Sequence, residues 1–165
     1  FNLGGRGDIL GHVLQVNARK FTPFDDTMIP TGEIADVAGS PLDFTVAKPI
    51  GRDIGKMPAT YGGYDHNFVI DGGGKGLVSA ARVHDPVSGR TMEVLTDQPG
   101  MQIYTSNSFD AAQVGKRGES FPKHAAICLE TQHFPDSVNR PSFTSTILRP
   151  GANFRSVTIY RFSAE

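Results

Sequence analysis

No stretch of this chain carries the capped i, i+3, i+4, i+7 apolar spacing that an amphipathic helix requires. Short runs of β-branched and aromatic residues take its place, each bounded by Gly, Pro, Asp or Asn, and such runs form strands. They lie at 12–18, 67–70, 76–84, 90–96, 101–105, 125–130 and 156–162. The segments 77–83 and 91–95 flank Asp85-Pro86-Val87-Ser88-Gly89, which has the turn chemistry of a hairpin. In the second arm, Met92 and Val94 alternate with Thr91, Glu93 and Leu95, the pattern of a half-buried strand. A turn at Arg149-Pro150-Gly151 precedes the last strand, where Val157, Ile159 and Arg161 alternate with Thr158, Tyr160 and Phe162. The expected fold class is mainly β, an antiparallel β-sandwich.

Composition narrows the function classes. At 165 residues, 38% hydrophobic and 20% charged, the chain can bury a core as one domain or a large piece of one. The net charge of −1 is spread along the chain without a basic block, so no nucleic-acid footprint is expected. No apolar run approaches the ~20 residues that span a bilayer, and no membrane partner is expected. Cys128 is the single cysteine, which excludes an internal disulfide framework and suits a reducing, cytoplasmic compartment without excluding secretion. The opening Phe1-Asn2-Leu3-Gly4-Gly5 resembles neither a signal peptide nor a natural start, and sequence upstream of it is expected.

Four polar clusters sit in this β framework. In Tyr64-Asp65-His66-Asn67-Phe68, a strand would turn Asp65 and Asn67 to one face and His66 to the other; the plainer reading is a loop whose Asp and Asn satisfy local backbone donors. After the Pro99-Gly100 turn, Gln102 and Tyr104 share a face, and an amide with a phenol suits sugar hydroxyls as well as it suits an ordinary exposed strand. Glu130 follows the apolar run 125–129 and is expected at the end of a buried strand, where desolvation would make it a stronger base; a salt-bridged strand-end Glu is the alternative. The loop 133–141 holds polar residues suited to organising its own turn. Among the remaining features, 71–76 reads as a plain glycine-rich loop, since no helix N-terminus follows to cradle a phosphate. The five histidines form no HExxH or helical pair, so no metal set is expected, and Cys128 in its apolar run is expected to be inert.

The ordered motifs Phe1-Asn2-Leu3-Gly4-Gly5, Ile29-Pro30-Thr31-Gly32-Glu33, Tyr64-Asp65-His66-Asn67-Phe68, Gln98-Pro99-Gly100-Met101-Gln102-Ile103-Tyr104-Thr105, Pro122-Lys123-His124, Cys128-Leu129-Glu130-Thr131-Gln132 and Pro135-Asp136-Ser137-Val138-Asn139 resemble those of the aldose 1-epimerase (galactose mutarotase) family. The resemblance runs from Phe1 to the C-terminus. It implies the β-sandwich of the galactose mutarotase type, with residues 1–165 as the C-terminal portion of a single domain. It also implies interconversion of the α and β anomers of free aldoses such as galactose and glucose, without cofactor or metal.

By the same resemblance, Glu130 matches the family's catalytic base, and Asp65 and Gln102 match residues that hydrogen-bond sugar hydroxyls. The family's acid is a histidine in a His-x-Tyr-Phe/Trp-Asn-Leu motif that this chain enters at its Phe, so the acid is expected just upstream of Phe1. None of the five histidines present occupies a matching position. The chain is therefore expected to be inactive on its own, and stable only with the N-terminal portion, which could be a separate chain. Two other classes stay open: a sugar-binding or interaction protein that keeps the fold without turnover, and a glycoside hydrolase with Asp65 as its second carboxylate.

Overall fold

A computed structural model describes residues 1–164. The chain runs through β1 (Val13–Val16), β2 (Lys20–Thr22), β3 (Ala35–Asp36), β4 (Lys48–Pro49), one helical turn α1 (Gly51–Ile54), β5 (Asp65–Val69), β6 (Val78–His84), β7 (Arg90–Thr96), β8 (Gly100–Tyr104), β9 (Cys128–Gln132) and β10 (Thr158–Ala164). The strands form two five-stranded antiparallel sheets, in the orders β10-β7-β6-β1-β4 and β3-β2-β5-β8-β9. The mainly-β expectation is met.

The core lies between the sheets. Leu14, Val16, Val83, Met92 and Val94 come from the first, and Phe68, Met101, Ile103 and Leu129 from the second, all essentially inaccessible to solvent. Each of these strands gives its alternate residues to the core, which leaves the other face of the second sheet free for polar side chains. The β6–β7 hairpin forms as its sequence predicts. The Asp85 carboxylate accepts from the N–H groups of Val87 (3.2 Å) and Ser88 (3.1 Å), and Gly89 takes the positive φ of 71° that the turn needs. The glycine-rich segment 71–76 is a loop, in which the Gly73 N–H donates to the Ile70 carbonyl and the Gly74 N–H to that of Asp97.

Two elements depart from expectation. The strand expected at 125–130 begins only at Cys128. His124 sits at φ 62°, and the Ala125 N–H turns back to the Pro122 carbonyl, so the apolar run enters the sheet through a bend. The final strand also starts later, at Thr158, and β10 is exposed along nearly its whole length. Ile159, Tyr160 and Phe162 are exposed on it, with Phe1 5.2 Å from Tyr160 ring to ring. Among the described residues no helix is long and apolar enough to cross a membrane.

Candidate active site

The register of the second sheet lines up a row of polar residues. Thr22 pairs with Asn67, Asn67 with Gln102, and Gln102 with Glu130, so four strands each place one polar side chain at the same level. A second row follows one pleat away: Asp65 pairs with Tyr104, and Tyr104 with Cys128. Residues i and i+2 share a face, so both rows look away from the core. All of them but Cys128 line the floor of a cavity of about 780 Å³, whose walls include Phe24, Tyr61, Asn107 and Lys123. Asp65, Gln102 and Glu130, singled out in the sequence, all open into it.

Two cross-strand bonds fix the floor. Gln102 Nε2 donates to Asp65 Oδ1 at 2.7 Å. A carboxylate only accepts, so this bond decides which end of the amide is nitrogen. Gln102 Oε1 is left as a buried acceptor with no partner among the described residues. Such an atom costs about 1–3 kcal/mol unless a hydroxyl or N–H reaches it. Beside it, Gln132 Nε2 donates to Asn67 Oδ1 (3.3 Å), and Asn67 Nδ2 donates to Thr22 Oγ1 (3.2 Å). This relay passes over Gly100, where a Cβ would meet Asn67 Oδ1 at 2.7 Å and the Phe134 ring at 2.9 Å. Only glycine leaves room for both neighbours.

The start of β5 is held from the segment that follows β8. The Tyr64 N–H donates to Thr105 Oγ1 (3.0 Å) and Asn107 Nδ2 donates to the Tyr64 carbonyl (2.9 Å), so Asp65 enters the sheet at a set height. The loop 133–141 organises itself through Asp136, which accepts from Asn139 Nδ2 (2.6 Å) and Arg140 Nε (3.0 Å). Arg140 also donates to the Pro30 carbonyl, which ties the cavity wall that carries Met28 and Pro30 to the segment after β9.

Three expectations about individual residues can be compared with these positions. Glu130 is not a buried strand-end residue: it lies mid-strand and is exposed. Among the described residues β9 pairs only with β8, so a strand flanks Glu130 on one side alone. His66 turns away from Asp65, as alternation predicts, and is 5% exposed with its ring 4.7 Å from that of Phe24 and 6.1 Å from that of Phe21. Burial pulls its imidazole down to about 4, so it is neutral near pH 7 and faces away from the cavity. Cys128 is half-buried, and burial followed by the Glu130 carboxylate pushes its thiol up, away from the reactive thiolate.

Sequence reasoning missed Thr22, Asn107 and Lys123 as parts of this site. Thr22 sits in a strand of three residues, too short to show a pattern, and Asn107 and Lys123 arrive from a loop whose course only tertiary contacts define. Among the described residues no group of three or more His, Cys, Asp or Glu side chains is placed to hold a metal ion.

The family model for aldose 1-epimerase matches residues 1–161. Galactose mutarotase from Rattus norvegicus is 45% identical over 99% of this chain and 47% of its own length, and the protein of that name from Homo sapiens is 43% identical over the same shares. Aldose 1-epimerase from Escherichia coli is 33% identical over 100% of the chain and 49% of its own length. The solved structure of an aldose epimerase homologue from C. elegans superposes with a TM-score of 0.87 at 29% identity, over 99% of this chain and 49% of that one. The chain spans about half the length of the curated relatives it matches. With one family model covering residues 1–161 and the sandwich shared with a family structure, the chain belongs to the aldose 1-epimerase family.

Proposed function

We propose that the full-length protein is an aldose 1-epimerase that interconverts the α and β anomers of free aldohexoses such as galactose and glucose, and that this chain is the C-terminal portion of its single domain. The observation that carries the reading is the cavity floor: Glu130, Gln102 and Asp65 share one sheet face, and Asp65 holds the Gln102 amide with its buried oxygen unpaired. A monosaccharide is dense in hydroxyl donors and acceptors, and a floor of carboxylates and amides is its complement.

In this reading Glu130 removes the proton from the C1 hydroxyl of the closed sugar as an acid protonates the ring oxygen O5. The C1–O5 bond breaks, giving the open aldehyde. Rotation about C1–C2 and reversal of the proton transfers close the ring from the other face, and no proton is gained or lost overall. Asp65 accepts from a sugar hydroxyl, and Gln102 Oε1 accepts from another. The acid belongs to the N-terminal portion, on the same chain or on a separate one. A cytoplasmic location, to which the lone cysteine is suited, completes the reading.

Polarimetry tests it directly. The rotation of freshly dissolved α-galactose or α-glucose should relax faster with the full-length protein than without it. Glu130→Gln should lower that acceleration by at least about 100-fold, the usual size of a general-base contribution. Sugar binding without acceleration would identify a non-catalytic carbohydrate-binding protein, and reducing-sugar release from a glycoside would identify a hydrolase.

A further inference from the structure

The cavity of the candidate active site is supplied chiefly with acceptors. Asp65 and Glu130 bring carboxylates, and Gln102 brings its unpartnered Oε1. The amide nitrogens nearby are already donating: Gln102 to Asp65, Gln132 to Asn67, Asn67 to Thr22 and Asn107 to the Tyr64 carbonyl. A hydroxyl gives one hydrogen and offers two lone pairs, so a ligand held through its hydrogens still needs donors for its oxygens. Lys123 has three N–H donors and no acceptor. Among the described residues Lys20, Lys48 and Lys56 are paired with Asp36 or Asp53, whereas no ion pair or hydrogen bond occupies the Lys123 ammonium. Lys75 and Lys116 are also without partners there, but neither lines this cavity.

The fold aims this side chain. Residues 122–125 form a turn, closed by the Ala125 N–H on the Pro122 carbonyl at 3.0 Å, with Lys123 and His124 at its centre. His124 occupies the left-handed region at φ 62°, as the third residue of a type II turn does, where glycine or asparagine is usual. Its contacts account for a histidine there. The backbone N–H donates to the Ser106 carbonyl (3.2 Å), and the His124 carbonyl accepts from the Ile9 N–H (2.9 Å). The ring Nδ1 donates to the Thr105 carbonyl at 2.9 Å, since a carbonyl only accepts. The turn is thus bolted to the segment after β8, and Lys123 reaches from it to Gly62, where a Cβ would stand 3.0 Å from Nζ and 3.5 Å from the Asn107 Cβ. Asn107 holds the start of β5, so the ammonium lies at the Asp65 end of the cavity. Glu130 is two strands away, about 10 Å by strand spacing.

We infer that Lys123 is a substrate-binding residue that donates to sugar oxygens at the end of the ring remote from C1, and so decides which hydroxyls the site requires there. The naming of that end rests on the proposed function, which puts C1 beside Glu130. The contact itself does not.

Substitution in the full-length protein tests it. Lys123→Met keeps the length and the apolar stem and removes the donors. By polarimetry the KM for galactose should rise about tenfold, the size of one hydrogen bond from a charged group, with kcat changed by less than about twofold. Lys123→Arg keeps the donors and should return KM to within about threefold of the wild type. Urea unfolding should not distinguish the variants from the wild type, because no partner in the chain is lost.

Galactose lacking the hydroxyl at C3, C4 or C6 then locates the contact. For at least one of the three, the ratio of KM between Lys123→Met and the wild type should collapse to near one. A ratio that stays about tenfold for all three, an unchanged KM, or a fall in kcat with KM intact overturns the inference, and a destabilised Lys123→Met marks the lysine as structural and overturns it too. Should the full-length protein show no mutarotation, the proposed function falls, and NMR titration with galactose decides the contact alone. Binding about tenfold weaker in Lys123→Met supports it, and equal binding, or none by either protein, overturns it.

Discussion

His66 makes the acid stability of this protein calculable. Its imidazole is packed among Phe21, Phe24 and Tyr61, and burial lowers it from 6.5 to about 4. Between those values the unfolded chain holds a proton that the folded one refuses, so stability rises with pH through the window and falls as pH drops from 6.5 toward 4. At pH 7 the group contributes almost nothing to the difference. At pH 4.5 the linkage relation gives a loss of about 2–3 kcal/mol, roughly three-quarters of the full effect of a shift of this size. His12 is also lowered by burial and the carboxylates have their own windows, so the wild type alone would not isolate the effect.

His66→Phe keeps an aromatic ring in the cluster and removes the titration. Urea unfolding of both proteins at pH 7.0 and pH 4.5 yields the change in their stability difference, to which constant packing effects do not contribute. The variant is expected to gain about 2–3 kcal/mol on the wild type between the two pH values. An unchanged difference would refute the claim that His66 is buried and neutral in the folded protein.

Other substitutions test the cavity floor. Gly100→Ala should cost about 1–3 kcal/mol in urea or thermal unfolding, because the new methyl meets both Asn67 Oδ1 and the Phe134 ring; unaltered stability would mean that this contact relaxes freely. Gln102→Met removes an unpaired buried acceptor along with the bond to Asp65, so folding should be little affected, within about 1 kcal/mol, while galactose affinity falls about tenfold by NMR titration. Severe unfolding with unchanged affinity would make the amide a structural group.

What could be read from the sequence depended on how local each feature was. The β6–β7 hairpin was readable because Asp85 and Gly89 supply their own turn chemistry, and Met92 and Val94 show their burial by alternation. Alternation also separated Asp65 and Asn67 from His66. β2, β3 and β4 were invisible because strands of two or three residues have no period, and pairing with distant segments creates them. Glu130 was identified by its company but misplaced in its environment. An apolar approach such as 125–129 marks a buried strand only if the strand is flanked on both sides, and sheet order is not written in any local run. The lock between Gln102 and Asp65 joins two strands 37 residues apart, and the register that makes it is a tertiary fact.

That lock has a consequence for selectivity. Because Asp65 dictates which atom Gln102 offers, the cavity is committed before a ligand arrives to a partner that gives a hydrogen. An amide free to flip would serve a hydroxyl, an ether or a carbonyl alike, and would lose rotational freedom in choosing. Under the proposed function the fixed one would take a sugar hydroxyl, and a deoxy or O-methylated sugar at the same place would leave the oxygen unpaired. Discrimination of that kind can far exceed what an apolar pocket achieves through size alone.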